Sequence, residues 1–172
     1  VGKGKSMVSE EIALNDYLIA NGLEVVETDL GEYILQLREE TPSHVVMPAI
    51  HLKKEQIATT FRDHHTELDP MTEEARIKLR EKFLAADIGI TGANMLIAET
   101  GSIVVVTNEG NGDLTQTLPR VHIVIAAIEK VVPRIDDALS ILRILARSAT
   151  GQEITCYTTF ATGPKRRDDL DG

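Results

Sequence analysis

The stretch that most constrains the fold of this chain runs over residues 86–111. Within it, two apolar runs at 95–98 and 103–106 flank the turn 99–101, and a second polar turn follows directly. Short β-rich runs bounded by Gly and Asn predict strands joined by tight turns, because Gly and Asn accept the positive φ angles that such turns require. The pattern therefore predicts a hairpin whose second strand carries a carboxylate at each end.

Helical and strand-like patterns alternate along the rest of the chain. We predict helices from Ser6 to the Gly22 stop, at 53–65, at 72–85 and at 136–146, and strands at 23–27, 33–37, 44–47, 121–128 and 154–160. Residues 113–118 read as a polar connection. This alternation predicts an α/β fold in which helices cover both faces of a mostly parallel sheet and the hairpin is inserted into it. We expect one domain over 1–163 and a mobile charged tail over 164–172.

Composition excludes several classes of function. A formal net charge of -9 would repel a nucleic-acid backbone, whose binding rests on clustered Lys and Arg. The sequence has no apolar run of the roughly 20 residues that a membrane-spanning helix needs. The single cysteine, Cys156, cannot form an intrachain disulfide or by itself hold an iron–sulfur cluster, and a reducing cytoplasm is the expected location.

Two polar regions outside the hairpin are candidate ligand sites. Asp29 and Glu32 lie in an acidic corner after a predicted strand, which is either a solvated loop or a site for a metal or a ligand hydroxyl. Lys3, Lys5 and the helix start at Ser6 suit an anion, although a charged chain terminus beside an ordinary N-cap explains them as well. Adjacent histidines at 64 and 65 point in different directions on a helix, so we predict no metal site.

The hairpin turns supply the remaining candidates. Glu99 has apolar neighbours, and burial would raise its pKa into the range of a general acid or base. Glu109 precedes Gly110, where a substrate can approach closely, and Asn108 and Asn111 flank it. His122 opens the next strand within reach of these turns, although a structural, hydrogen-bonded histidine explains it too. An ordinary hairpin remains the alternative for both glutamates.

Six blocks in this order resemble the LUD (lactate-utilisation) domain family, most closely its B-type iron–sulfur members. They are KSMVSEEIALN, VVETDLGEYILQL, PSHVVMPAIH, ADIGITGANMLIAETGSIVVVTNEGNG, TLPRVHIVIAAIEKVVP and RSATGQ. The resemblance implies a three-layer α/β/α fold like that of the NagB/RpiA/CoA-transferase group and a role in oxidising L-lactate to pyruvate with other lactate-utilisation subunits. It also implies 4Fe–4S clusters in a downstream cysteine-rich segment, so we expect no cofactor in the present residues and regard them as an excised domain.

Three functions follow as hypotheses. The first is a domain that binds a small carboxylate or phosphorylated ligand, or a partner subunit. Its predicted binding residues are Lys5, Ser6, Asp29, Glu32, Asn108, Asn111 and His122. The second is a transferase or isomerase with Glu99 or Glu109 as catalytic residue, since the family's CoA-transferase relatives use a glutamate in a Glu-Asn-Gly context that this chain matches only in part. The third is a structural assembly module.

Overall fold

The computed structural model describes residues 1–4, 6–40, 48–60 and 68–164. In chain order its α-helices are α1 (Met7–Glu11), α2 (Leu14–Ala20), α3 (Leu30–Arg38), α4 (Lys54–Ala58), α5 (Leu68–Ala85), α6 (Asn111–Thr117) and α7 (Ile135–Thr150). Its strands are β1 (Gly2–Lys3), β2 (Val26–Glu27), β3 (Ile88–Thr91), β4 (Met95–Ile97), β5 (Ser102–Thr107), β6 (Val121–Val124), β7 (Val131–Val132) and β8 (Tyr157–Thr162).

Within the described residues the strands pair into two sheets. The first has the order β2-β1-β3-β6, and all of its strands are parallel. The second has the order β7-β4-β5-β8, in which β4 and β7 are parallel and β5 is antiparallel to both of its neighbours. Parallel pairing therefore predominates and helices separate the parallel strands, which confirms the predicted α/β class. The prediction that the hairpin is inserted into the parallel sheet is wrong, because β4 and β5 pair with β7 and β8 in the second sheet.

Helices cover both faces of the first sheet. Lys3 pairs in register with Ile90, so the neighbouring Gly89 faces the opposite side of the sheet. Lys3 contacts Glu10 of α1, whereas a Cβ atom added at Gly89 would lie 1.9 Å from the Thr115 carbonyl oxygen of α6. The sheet thus lies between α1 and α6, in agreement with the predicted three-layer architecture. The finer NagB/RpiA designation stays a prediction.

Helix α6 lies between the two sheets and contacts both of them. Besides its contact with Gly89, it approaches the second sheet at Gly112, where an added Cβ would lie 3.0 Å from Val105 Cγ1. Thr115 of α6 is fully buried. Two glycines therefore permit a close helix–sheet approach that any larger residue would widen.

The hairpin has the predicted form. Strands β4 and β5 pair antiparallel with Ile97 opposite Ser102, and Gly101 in the turn has a φ of 67°. Met95, Ile97 and Val104 pack against Ala138 of α7 as one apolar cluster. This cluster anchors α7, the predicted amphipathic helix, on the second sheet.

Several predicted elements differ from the structure. The strand predicted at 121–128 ends at Val124, and Ile128–Lys130 forms a short 3-10 helix. Residues 33–37 are helical rather than extended, because Asp29 caps α3 by accepting hydrogen bonds from Gly31 N and Glu32 N. The run 113–118 falls largely within α6 rather than in a loop. The first helix divides at Ala13, whose φ of 51° is left-handed. The helix predicted to start at Thr72 begins at Leu68.

Several sequence predictions lie outside the described residues. They concern Lys5, the strand at 44–47, residues 61–65, which include His64 and His65, and most of the tail. The helix predicted over 53–65 is shorter than expected, because α4 ends at Ala58 within the described residues. Among the helices that the structure describes, none combines the length and apolar character needed to cross a membrane.

Candidate functional site

Strands β1, β2 and β3 end at the same edge of the first sheet, and ionisable side chains meet there. We call the polar cluster the side chains of Lys3, Glu10, Asn15, Glu27, Asp29 and Glu32. Ligands of open α/β sheets bind beyond the carboxyl ends of the strands, so this edge is where a site is expected.

Lys3 is the centre of the polar cluster and is fully buried. Its register partner in β2 is Glu27, and Lys3 Nζ lies 2.8 Å from Glu27 Oε1 and also pairs with Glu10 Oε1. Burial lowers the pKa of Lys3, but the charges and hydrogen bonds of Glu27 and Glu10 outweigh burial and raise the pKa above its usual value. Lys3 is therefore charged and committed to its own carboxylates, which corrects its predicted role in holding an anion.

The acidic corner forms the start of α3. Asp29 Oδ1 accepts hydrogen bonds from Gly31 N at 3.1 Å and Glu32 N at 3.3 Å. Burial and then the negative charges of Glu27 and Asp29 raise the pKa of Glu32 to about 8. Glu32 thus stays protonated at neutral pH, which is the property of a group that can exchange a proton with a ligand.

The second hairpin turn reaches the same corner. Glu109 Oε2 accepts a hydrogen bond of 3.4 Å from Leu30 N, the first residue of α3. The structure therefore places Glu109 at the first turn of α3, which has Asp29 as its N-cap and also contains Glu32. Asn111 is buried at the start of α6, immediately beside this turn.

Buried threonines lie on the α6 face of the first sheet, opposite the polar cluster, and no local pattern in the sequence indicates them. Thr28 Oγ1 donates to the Lys3 carbonyl at 2.9 Å, so the 3.1 Å contact between Thr28 and Thr115 is donated by Thr115. Thr91 Oγ1 lies 2.8 Å from His122 Nε2. Burial lowers the pKa of His122, which makes its imidazole neutral at pH 7. Such threonines are recognisable only once β1, β2 and β3 are placed side by side.

The remaining candidates lie elsewhere or have local partners. Glu99 stands at the other end of β5, roughly 20 Å along the strand, where it accepts a hydrogen bond from Ile135 N at 2.8 Å and caps α7. Asn108 donates to Gln152 Oε1 at 3.1 Å, on the side of β8. Ser6 caps the short helix α1 by accepting from Ser9 N. None of these contacts belongs to the polar cluster.

Two open depressions in the described surface flank α7 rather than the polar cluster. One of about 510 Å³ is lined by Leu139, Arg143 and Ile154 among others, and one of about 260 Å³ by Asn94, Glu129 and Ile141 among others. No predicted site residue lines either of them. In the part of the chain that the structure describes, no three His, Cys, Asp or Glu side chains are arranged to hold a metal ion.

The family profile and the similar proteins that match this chain agree with one another. The profile of the LUD domain matches residues 3–172. Lactate utilization protein B of Bacillus subtilis is 51% identical over 99% of this chain, and that of Macrococcus caseolyticus is 48% identical over 100%. An uncharacterized electron transport protein of Escherichia coli, YkgF, is also 48% identical over 100% of the chain. The chain spans 37% of the length of each of these relatives. No solved structure matches it.

Proposed function

We propose, since this chain belongs to the LUD domain family, that it is the ligand-binding domain of a lactate-utilisation protein and that the polar cluster binds a small hydroxy carboxylate. The observation that carries the proposal is the burial of opposite and like charges together at the carboxyl ends of two adjacent parallel strands, β1 and β2. Burying charge costs several kcal/mol per ion even when it is paired. A domain that served only as a scaffold would gain more from apolar residues at these positions.

The charge of the polar cluster suggests how such a ligand is oriented. Glu10 and Glu27 pair with one cation, Lys3, and Asp29 adds a third carboxylate, so the cluster offers an excess of hydrogen-bond acceptors. A ligand hydroxyl donates to carboxylates, whereas a ligand carboxylate is repelled by them. We therefore expect the hydroxyl of a 2-hydroxy acid to face the cluster and its carboxylate to face away.

With the ligand hydroxyl facing the polar cluster, the site should distinguish L-lactate from pyruvate. L-Lactate carries the hydroxyl donor, and pyruvate carries a carbonyl acceptor in its place. A site built to accept a hydroxyl proton rejects the analogue that lacks it, because the buried acceptors are then left without a donor. L-Lactate should therefore bind more tightly than pyruvate.

Iron–sulfur chemistry does not fit the residues of this chain. A 4Fe–4S cluster takes about four cysteine thiolates, and the chain has one cysteine, Cys156, which is exposed. We propose that electron transfer belongs to other parts of the full-length relatives or to partner subunits. The polar cluster's contribution is binding and proton exchange.

An assembly role is the second candidate, and the surface of α7 favours it. Leu139, Ile141 and Ile144 are 44%, 38% and 63% exposed on a helix that already packs against β4 and β5 through Ala138. Exposed apolar side chains on both flanks of one helix are typical of a surface that another protein covers. The glutamate-dependent transferase alternative has weaker support, since Glu109 already accepts a hydrogen bond from Leu30 N.

Amide chemical shifts of the protein during titration with L-lactate, pyruvate and inorganic phosphate separate these functions. Ligand binding predicts shifts at Leu30, Gly31 and Glu32 with L-lactate, smaller ones with pyruvate, and loss of affinity in Glu109→Gln. The matched control is Glu129→Gln, an exposed glutamate beside β7. The absence of shifts around α3 with all three probes would overturn the proposal. Shifts confined to α7 when a candidate partner is added would favour assembly.

A further inference from the structure

Two carboxylate oxygens of the polar cluster are buried without a donor. Glu27 Oε2 and Glu32 Oε2 have no hydrogen-bond partner among the residues that the structure describes. Glu27 as a whole is only 5% exposed. A buried acceptor left unsatisfied costs about 1–3 kcal/mol, and more when it is charged, so a pair of them demands an explanation.

The neighbouring donors are directed elsewhere. Lys3 Nζ and Asn15 Nδ2 both donate to the other oxygen of Glu27, Oε1, at 2.8 and 2.6 Å. Lys3 also pairs with Glu10 on α1. The first turn of α3 brings a further negative charge, Asp29, close to Glu32. Two ionised carboxylates in this position would therefore repel each other at short range in a poorly solvated site.

A single proton on Glu32 would both satisfy the two unpartnered oxygens and remove the repulsion between the two carboxylates. A proton on Glu32 makes it a donor to Glu27, so that the two unpartnered oxygens satisfy each other and one buried charge disappears. This arrangement resembles pairs of carboxyl groups that share a site and cannot both ionise. Burial and the charges of Glu27 and Asp29 raise the pKa of Glu32 to about 8, and a hydrogen bond to Glu27 adds to the rise. Lys3 opposes it.

We infer that Glu27 and Glu32 share one proton at neutral pH, and that this proton holds the first turn of α3 against β2 and keeps the polar cluster in its binding form. Loss of the proton places two like charges side by side and separates α3 from β2 at this point. The first turn of α3 carries Asp29 and the Leu30 amide that holds Glu109, so the proposed ligand site opens with it. The ligand-related part of this inference rests on the proposed function.

The charged and titratable groups around the shared proton come from four elements. Glu27 and Lys3 face it from β2 and β1, and Asp29 faces it from the N-cap of α3. Glu10 of α1 acts through its ion pair with Lys3. Lys3 keeps its charge over this pH range because its pKa is raised, so Glu32 is the group whose ionisation changes between neutral and alkaline pH.

Carboxyl-carbon NMR titration of the protein tests the shared proton directly. We expect the Glu32 carboxyl to titrate near pH 8, with faster amide hydrogen exchange at Gly31 and Glu32 above that pH. In Glu32→Gln the amide still donates to Glu27 but cannot ionise, so exchange should stay slow across the range. Glu129→Gln, which changes an exposed glutamate in the same way, should behave like the wild type. Titration of Glu32 in the ordinary carboxyl range would overturn the inference.

L-Lactate affinity measured over the same range tests the consequence for binding. Above pH 8 the wild-type affinity should fall roughly tenfold per pH unit, whereas Glu32→Gln should show a flat profile. Equal pH dependence in both proteins would show that the shared proton does not control the site. If L-lactate binds at no pH, the proposed function fails, and the NMR titration still decides whether the proton is shared.

Discussion

Lys3 Nζ lies 2.8 Å from Glu27 Oε1, and the parallel register of β1 and β2 places the two residues side by side with both side chains buried. Lys3→Met should lower the free energy of unfolding by about 3–5 kcal/mol, because it leaves the buried Glu27 carboxylate without its cation. Urea denaturation measures the loss. The double variant Lys3→Met/Glu27→Gln should recover part of it; an unchanged midpoint for Lys3→Met would show that this pair contributes nothing.

Glu32 gives the protein a stability that depends on pH. Its pKa is about 8 in the folded protein and lies near 4.5 when unperturbed, so the folded state binds more protons between these values. Stability should therefore fall as pH rises from about 4.5 to about 8, by up to about 1.4 kcal/mol per pH unit. The difference between the denaturation midpoints of the wild type and Glu32→Gln, followed over this pH interval, measures the effect. A constant difference over this interval would contradict the raised pKa.

Strand and helix patterns predicted the fold class and the hairpin, because each apolar run in 95–106 is short and bounded by turn residues. They failed at 33–37, where Tyr33, Ile34 and Leu35 are consecutive and all buried. A continuous apolar run suits a strand between two layers as well as a helix packed on several sides, so periodicity does not separate them. The Asp29 cap was the signal that decides for a helix.

The residues of the polar site that follow strands could be predicted from the sequence, whereas those within strands could not. Asp29, Glu32 and Glu109 follow strands, and the structure brings them together through the Glu109–Leu30 contact. Lys3 and Glu27 lie within strands, and their pairing depends on which strands are neighbours. Strand order is a property of the whole fold, so no local pattern could have paired residues 24 positions apart.

Glu99 and Glu109 should have separable effects. Glu99→Ala removes the carboxylate that accepts the Ile135 amide and should destabilise the protein by about 1 kcal/mol without changing the L-lactate shifts at α3. Glu109→Ala should weaken those shifts and leave stability nearly unchanged, because Glu109 is exposed. Thermal unfolding and the ligand titration together distinguish the two variants. Loss of L-lactate binding in Glu99→Ala would place the site elsewhere.

Gly89 tests how α6 is held between the two sheets. A Cβ atom at Gly89 would lie 1.9 Å from the Thr115 carbonyl oxygen, which is backbone and cannot rotate away. Gly89→Ala should therefore cost at least about 3 kcal/mol or prevent folding, since overpacking of this kind displaces a whole helix.

The matched control is Gly2, the register partner of Gly89 on the same face of the sheet. A Cβ atom there would meet Ala86 Cβ at an ordinary 3.6 Å, so Gly2→Ala should change stability by less than about 1 kcal/mol. Chemical denaturation of both variants measures the contrast. If Gly89→Ala is as stable as Gly2→Ala, then α6 does not pack on β3 at this distance, and α6 does not position Thr115 against Thr28.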